Sequence, residues 1–109
     1  MPVVIVEKQT PQITLLTLNR PERLNSLTIE LLTELTDAIE KAAADDAQRI
    51  LILRGAGNTF CTGLDLKEAA EVDKAHASAK MVAKTLITLG QTRLITIAMV
   101  HGAALAGGA

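Results

Sequence analysis

Arg49-Ile50-Leu51-Ile52-Leu53-Arg54 is the stretch of sequence that decides the fold. Its nearly continuous aliphatic run is typical of a strand that is covered on both faces, as in a parallel sheet. The strand ends at a turn of small and polar residues, Gly55-Ala56-Gly57-Asn58. Parallel strands need a long crossover connection, which is right-handed in nearly all proteins, so a helix is expected on the N-terminal side.

An amphipathic helix is predicted there, with Thr28 as its N-cap and its end near Ala44. Aliphatic residues recur along it at the three- and four-residue steps that mark one helix face: Ile29, Leu32, Leu35, Ile39 and Ala43. The opposite face is charged and is expected to be solvated: Glu30, Glu34, Asp37, Glu40 and Lys41.

Further strands and helices are predicted on both sides of this helix and strand along the chain. Two short aliphatic runs, Val3–Val6 and Ile13–Leu18, flank a polar connection and predict a hairpin. On the other side a second helix is predicted from about Asp73 to Leu89, stopped by Gly90, and then a strand from Leu94 to Val100. Alternating strands and helices predict an α/β fold, and residues 1–109 contain no linker or repeat that would divide them into more than one domain.

Composition excludes several classes of function. The chain has 109 residues, 49% of them hydrophobic, and a net charge of -1, which indicates a soluble domain and no nucleic-acid partner. Cys61 is the only cysteine, so neither an internal disulfide nor a multi-cysteine metal site is expected, and a buried, unreactive thiol is the favoured interpretation. With no signal peptide and no apolar run of about 20 residues, the sequence predicts a cytoplasmic protein without membrane contact.

Two loops that follow predicted strands are candidates for chemistry, Phe60–Glu68 and Gly102–Ala109. Both contain small residues that let backbone N–H groups approach a ligand closely. An enzyme that polarises a carbonyl needs two such donors converging on one oxygen. Glycine loops after strands are also common as plain turns, so the pattern leaves open a small α/β domain without an active site.

Three segments together resemble the N-terminal motifs of the crotonase family, also called the enoyl-CoA hydratase/isomerase family. They are Leu18-Asn19-Arg20-Pro21-Glu22-Arg23-Leu24-Asn25-Ser26-Leu27, Phe60-Cys61-Thr62-Gly63-Leu64-Asp65-Leu66-Lys67-Glu68 and Val100-His101-Gly102-Ala103-Ala104-Leu105-Ala106-Gly107-Gly108. The resemblance covers essentially the whole chain. It implies a spiral of ββα turns, of which this chain holds the N-terminal part of the core, and a coenzyme A thioester as substrate without a prosthetic group.

The resemblance implies an oxyanion hole made by two backbone N–H groups, those of Leu64 and Gly107. They would stabilise the enolate of an acyl-CoA thioester. Ala106 departs from the family pattern, which has a glycine there. The glutamates that move protons in the family would lie beyond Ala109, so the resemblance by itself leaves two alternatives: an enoyl-CoA hydratase or isomerase if the chain continues, or a non-catalytic CoA-binding or structural remnant if it does not.

The resemblance also implies where coenzyme A would bind. The positions that match the loop around the adenine end are Arg23, Leu24 and Ser26. The positions that match the adenine and pantetheine path are Asp65, Leu66 and Lys67. Without the resemblance, Arg23 and Lys67 would be interpreted as ordinary solvated cations. The family's C-terminal helices build trimers and hexamers, so a homo-oligomer is expected of the full-length protein.

Overall fold

The computed structural model describes residues 2–61 and 63–100. Within them the chain forms four strands and three helices, together with a 3-10 turn at Pro21–Arg23. In chain order the elements are β1 (Val4–Thr10), β2 (Ile13–Leu18), α1 (Ile29–Ala44), β3 (Ile50–Gly55), α2 (Leu66–Ala70), α3 (Val72–Gln91) and β4 (Ile95–Met99).

The strands form one sheet in the order β1-β2-β3-β4. β1 and β2 pair in antiparallel orientation, which confirms the predicted hairpin, although β1 continues past Val6 as far as Thr10 because Lys8 pairs with Thr14. β3 runs parallel to both β2 and β4. The predicted crossover is therefore confirmed, and the strand ends that follow Leu18 and Gly55 lie at the same edge of the sheet.

Helix α1 begins as predicted, because the Thr28 side chain accepts a hydrogen bond of 3.1 Å from the Leu31 N–H. Its buried residues are Leu31, Leu32, Leu35, Thr36, Ile39 and Ala42. The middle of the predicted stripe is buried, whereas Ile29 and Ala43 at its ends are half-buried, and Ala43 still packs against the core. The helix packs against the sheet and also against α3, where the hydroxyls of Thr36 and Thr85 are 2.8 Å apart, so its buried arc is wider than one stripe.

The second predicted helix is present, but Gly90 does not stop it. Helix α3 continues to Gln91, and the Thr92 N–H donates to the Thr88 carbonyl just beyond its end. Gly90 is the next-to-last residue of the helix, and a single glycine within a helix costs only about 1 kcal/mol relative to alanine, so it does not by itself end the helix. The short helix α2 was not predicted at all, because its residues were assigned to a loop.

The core lies between the sheet and the helices. Its largest fully buried side chains include Leu16, Leu18 and Leu51 from the strands and Leu31 and Ile39 from α1. The cover expected on both faces of β3 is absent among the described residues, since Ile50 and Ile52 on the far face are half-buried. Large apolar side chains of β4 are exposed on that same face: Ile95, Ile97 and Met99.

No helix within residues 2–61 and 63–100 combines the length and the apolar character that crossing a membrane requires.

Candidate active site

A groove of about 530 Å³ opens beside the edge of the sheet where β2 and β3 end. The residues that line it are Glu22, Arg23, Leu24, Ser26, Leu64, Asp65, Leu66 and Lys67. The structure thus brings together, from two loops far apart in sequence, Leu64 and all six positions that the resemblance implied for coenzyme A. Gly107, the other implied oxyanion residue, lies outside the described residues, as does the segment Gly102–Ala109.

The loop of residues 22–26 forms the first wall of the groove, and Asn25 gives this loop its shape. Leu24 and Asn25 both have left-handed backbone conformations, with φ of 54° and 53°, which asparagine adopts more readily than most residues. The Asn25 side chain is completely buried, and its amide donates to the carbonyls of Ala56 at 2.9 Å and Thr59 at 2.7 Å. Its Oδ1 accepts from the Arg20 N–H at 2.8 Å. These bonds fix the shape of the loop against the end of β3.

Gly55 permits this close contact. A Cβ atom at Gly55 would lie 2.8 Å from the Asn25 Nδ2 and only 2.4 Å from the Phe60 carbonyl oxygen. Such distances are shorter than real side-chain contacts, so any larger residue would push apart the end of β3 and the loops that pack on it. The glycine that ends the predicted strand is therefore also required for the site.

Residues 64–67 form the second wall of the groove, and within it Asp65 caps helix α2. Its Oδ1 accepts hydrogen bonds from the N–H groups of Lys67 at 3.0 Å and Glu68 at 3.2 Å. Its Oδ2 accepts from the Ser26 hydroxyl at 3.2 Å and lies 3.5 Å from the Arg20 Nη2. The Asp65 carboxylate therefore faces protein groups, and its side chain links α2 to the first wall.

The electrostatics of Asp65 follow from these contacts. Burial alone raises the pKa of Asp65, but hydrogen bonds from the Glu68 N–H and the Ser26 hydroxyl, the charge of Arg20 and the Lys67 N–H together outweigh it. The net result is a pKa of Asp65 below its ordinary value. The carboxylate is consequently ionised at neutral pH.

Leu64 is held by a short parallel bridge to Leu27. The Leu27 N–H donates to the Gly63 carbonyl at 2.7 Å, and the Asp65 N–H donates to the Leu27 carbonyl at 2.9 Å. Backbone groups alternate in direction along an extended segment, so the N–H of Leu64 points away from Leu27. Within the described part of the chain this N–H has no hydrogen-bond acceptor.

The residues before Leu64 explain how it is presented. Gly63 has a φ of 93°, a conformation that L side chains rarely adopt, so glycine is needed there. Its N–H donates to the Cys61 Sγ at 3.4 Å. Burial raises the pKa of the Cys61 thiol even though this N–H favours the thiolate. These surroundings suit a structural thiol, in agreement with the favoured interpretation of the sequence.

Two cations stand at the rim of the groove. The side chains of Arg23 and Lys67 are exposed and make no ion pair or hydrogen bond with any residue that the structure describes. Glu22 is also on the rim, and Asp65 lies deeper, where it is paired with Arg20. Leu24 and Leu66 are exposed beside them, with 53% and 83% of their surface accessible. The rim thus offers positive charge next to apolar surface.

A second cavity, of about 190 Å³, lies on the other side of Leu27, between the sheet and α3. It is almost entirely apolar. Its lining includes Leu27, Leu53 and Phe60 together with Val82 and Leu86 of α3. Since Leu27 is bridged to Leu64, the groove and this apolar cavity adjoin the same short segment of chain.

Sequence reasoning missed three residues that build the site: Arg20, Asn25 and Glu68. Glu68 was given no role of its own, yet its Oε1 accepts a hydrogen bond of 2.9 Å from the Ile29 N–H at the start of α1. The spacing of Asp65 and Glu68 matches a capping box, which was an available signal for helix α2. The partners of Arg20 and Asn25 are distant in sequence, so no local pattern pointed to them.

The sequence model of the enoyl-CoA hydratase/isomerase family matches residues 8–109. The chain belongs to the enoyl-CoA hydratase/isomerase family. The probable enoyl-CoA hydratase echA12 of Mycobacterium leprae is 30% identical to it over 115 residues, which cover 97% of this chain and 39% of that protein. The predicted family is thereby confirmed.

Solved structures of this family have the same fold. An enoyl-CoA hydratase from Bacillus anthracis matches with a TM-score of 0.91 and 34% identity over 97% of this chain and 42% of its own. An enoyl-CoA hydratase from Mycobacterium smegmatis matches with a TM-score of 0.92 and 31% identity over 99% and 43%. The chain therefore spans about two fifths of the length of its enoyl-CoA hydratase relatives and has the N-terminal part of the crotonase fold, as predicted.

Proposed function

We propose that this chain forms the coenzyme A groove and one oxyanion donor of an acyl-CoA enzyme of the enoyl-CoA hydratase/isomerase type. The observation that carries the proposal is the Leu64 N–H, which has no acceptor among the described residues and lies in a segment that lines the groove. The Gly107 N–H is proposed as the second donor, on the strength of the family resemblance alone. Residues 1–109 are taken as one domain of that enzyme.

The chemistry of this proposal is the stabilisation of developing negative charge. When water adds to the β-carbon of an enoyl thioester, or when a proton leaves the α-carbon of an acyl thioester, negative charge moves onto the carbonyl oxygen to form an enolate. A hydrogen bond from the Leu64 N–H to that oxygen strengthens as the charge grows, so it lowers the barrier more than it stabilises bound substrate. Losing one such donor costs about 2.7 to 4 kcal/mol in known oxyanion holes.

The rim of the groove supports a nucleotide as the bound group. Arg23 and Lys67 are proposed to pair with phosphate oxygens, because neither side chain makes a hydrogen bond or an ion pair with any described residue. Leu24 and Leu66 are proposed to cover the adenine ring with their exposed apolar surface. Ser26 and Asp65 already bond to each other, so their contribution to coenzyme A is proposed to come from main-chain atoms.

The apolar cavity beyond Leu27 is proposed to receive the acyl chain. Its volume of about 190 Å³ suits a short acyl group, and its lining offers almost no polar atom to a ligand. Because Leu27 and Leu64 are bridged, a thioester bound at the Leu64 N–H has this cavity close by. Full-length protein is proposed to act in the cytoplasm as a homo-oligomer, a trimer or hexamer, on the basis of the resemblance.

One experiment on the full-length protein separates this proposal from its alternatives. Crotonyl-CoA is titrated by calorimetry, and its hydration is then followed by loss of the enoyl absorbance. Binding together with turnover supports the enzyme. Binding without turnover supports instead a non-catalytic CoA-binding protein that uses the same groove. No binding would leave a structural α/β domain whose glycine loops are turns.

A further inference from the structure

Arg20 lies between the two walls of the groove, and the family resemblance gave it no role. Only 16% of its side chain is exposed. Its Nη1 donates to the Ser26 carbonyl at 2.7 Å and to the Ser26 hydroxyl at 3.1 Å. Its Nη2 lies 3.5 Å from the Asp65 Oδ2. One guanidinium group thus contacts both the loop that contains Ser26 and the residue that follows Leu64.

The three side chains form a closed arrangement. The Ser26 hydroxyl that accepts from Arg20 donates in turn to the same Asp65 oxygen that faces the guanidinium. The other Asp65 oxygen is occupied by the first N–H groups of α2. Arg20 and Ser26 therefore add side-chain contacts to the backbone bridge at Leu27 in setting the position of Asp65, and of the adjoining Leu64, relative to the first wall.

Arg20 is poorly placed to bind a phosphate itself. Its guanidinium is largely buried and is turned toward a carbonyl, a hydroxyl and a carboxylate of the protein. A planar guanidinium held in this way fixes geometry, because its donors have set directions. Arg23 and Lys67, by contrast, are exposed at the rim.

We propose that Arg20 is a positioning residue: through Ser26 and Asp65 it fixes the Leu64 N–H relative to the nucleotide groove. Its loss then slows the chemical step on any thioester, whether or not that thioester carries a nucleotide. This inference rests on the proposed role of Leu64 as an oxyanion donor.

The test compares two substrates on the full-length protein, crotonyl-CoA and the crotonyl thioester of N-acetylcysteamine, which lacks the nucleotide. In Arg20→Lys, kcat for crotonyl-CoA is expected to fall about ten- to a hundred-fold with little change in KM, as for a misplaced catalytic group. The kcat/KM for the short thioester is expected to fall by the same factor. Lysine retains the charge but has no fork of donors, so it rescues little.

Arg49→Lys is the matched control. The Arg49 side chain is exposed and, among the residues that the structure describes, donates only to the nearby carbonyls of Asp46 and Gln48. This variant is expected to leave the kinetics with both substrates within about two-fold of the parent, as surface substitutions usually do. A thermal unfolding curve of each variant checks that it is folded before the rates are compared.

A double-mutant cycle tests the contact between Arg20 and Asp65. Arg20→Lys and Asp65→Asn each disrupt this contact, so their effects on kcat are expected to be clearly non-additive in the double variant. The inference is overturned if Arg20→Lys raises only the KM for crotonyl-CoA, or if it leaves both substrates unaffected while the parent protein is active. If the parent turns over neither substrate, the proposed function itself fails, and the role of Arg20 fails with it.

Discussion

Replacing Asn25 with alanine is expected to destabilise the protein severely. The asparagine side chain is fully buried, and it satisfies the carbonyls of Ala56 and Thr59 and the N–H of Arg20. Each buried polar group left without a partner costs about 1 to 3 kcal/mol. Alanine at a φ of 53° adds about 1 kcal/mol or more of backbone strain.

The expected loss for Asn25→Ala is therefore about 3 to 5 kcal/mol of the free energy of unfolding, after allowing for partial relaxation of the loop. Urea denaturation of the full-length protein, followed by circular dichroism, measures it. Asn58→Ala is the matched control, because Asn58 is an exposed residue of the turn after β3, and its expected change is within about 0.5 kcal/mol. A loss below about 1 kcal/mol for Asn25→Ala would refute the argument that this side chain shapes the loop.

Three further predictions concern the same walls. Gly55→Ala is expected to lower the midpoint of thermal unfolding by several degrees, because its Cβ meets the Phe60 carbonyl at 2.4 Å; an unchanged midpoint would contradict the contact. The pKa of Asp65 is lowered in the folded state, so its contribution to stability is present above the ordinary value of 3.8 and is lost as the pH falls through the lower folded pKa. The free energies of unfolding of the parent and of Asp65→Asn, measured as a function of pH, are expected to converge as the pH falls through that range. Equal free energies for the two proteins at every pH would contradict this prediction. Arg23→Met and Lys67→Met are expected to weaken binding of coenzyme A and to reduce its salt dependence, as calorimetry at two ionic strengths measures; an unchanged affinity would remove both from the phosphate site.

Much of the fold was predictable because its signals are local. The aliphatic run of β3, the Thr28 cap and the hairpin near the N-terminus each depend on residues close together in sequence. The aliphatic stripe of α1 was predictable, but the burial of Thr36 was not, because the helix packs on α3 as well as on the sheet and places Thr36 against Thr85. The expected stop at Gly90 falls one residue before the observed end of α3 at Gln91, because one glycine costs a helix only about 1 kcal/mol.

The groove was predictable only through the family resemblance, which named the residues of both walls. Neither composition nor spacing indicates that Arg23 and Lys67 meet at one rim. The residues that hold the walls together were missed because their partners are remote in sequence. Asn25 bonds to the turn after β3, and Glu68 reaches the first turn of α1.

The most direct test of the central claim separates the N–H of Leu64 from its side chain. Leu64→Pro removes the backbone donor, whereas Leu64→Ala keeps it and shortens only the side chain. Because this N–H has no acceptor among the described residues, the proline variant loses no internal hydrogen bond of that part of the chain. Unfolding curves and coenzyme A affinity of both variants establish that the fold and the groove are intact.

The measurement is kcat for crotonyl-CoA hydration by the two full-length variants and the parent. The oxyanion proposal predicts that Leu64→Pro loses about 10² to 10³ in kcat, while Leu64→Ala stays within a few-fold of the parent. A proline variant that is folded, binds coenzyme A and retains its kcat would contradict the proposal. Equal losses in both variants would contradict it too, because the side chain rather than the backbone donor would then be what matters.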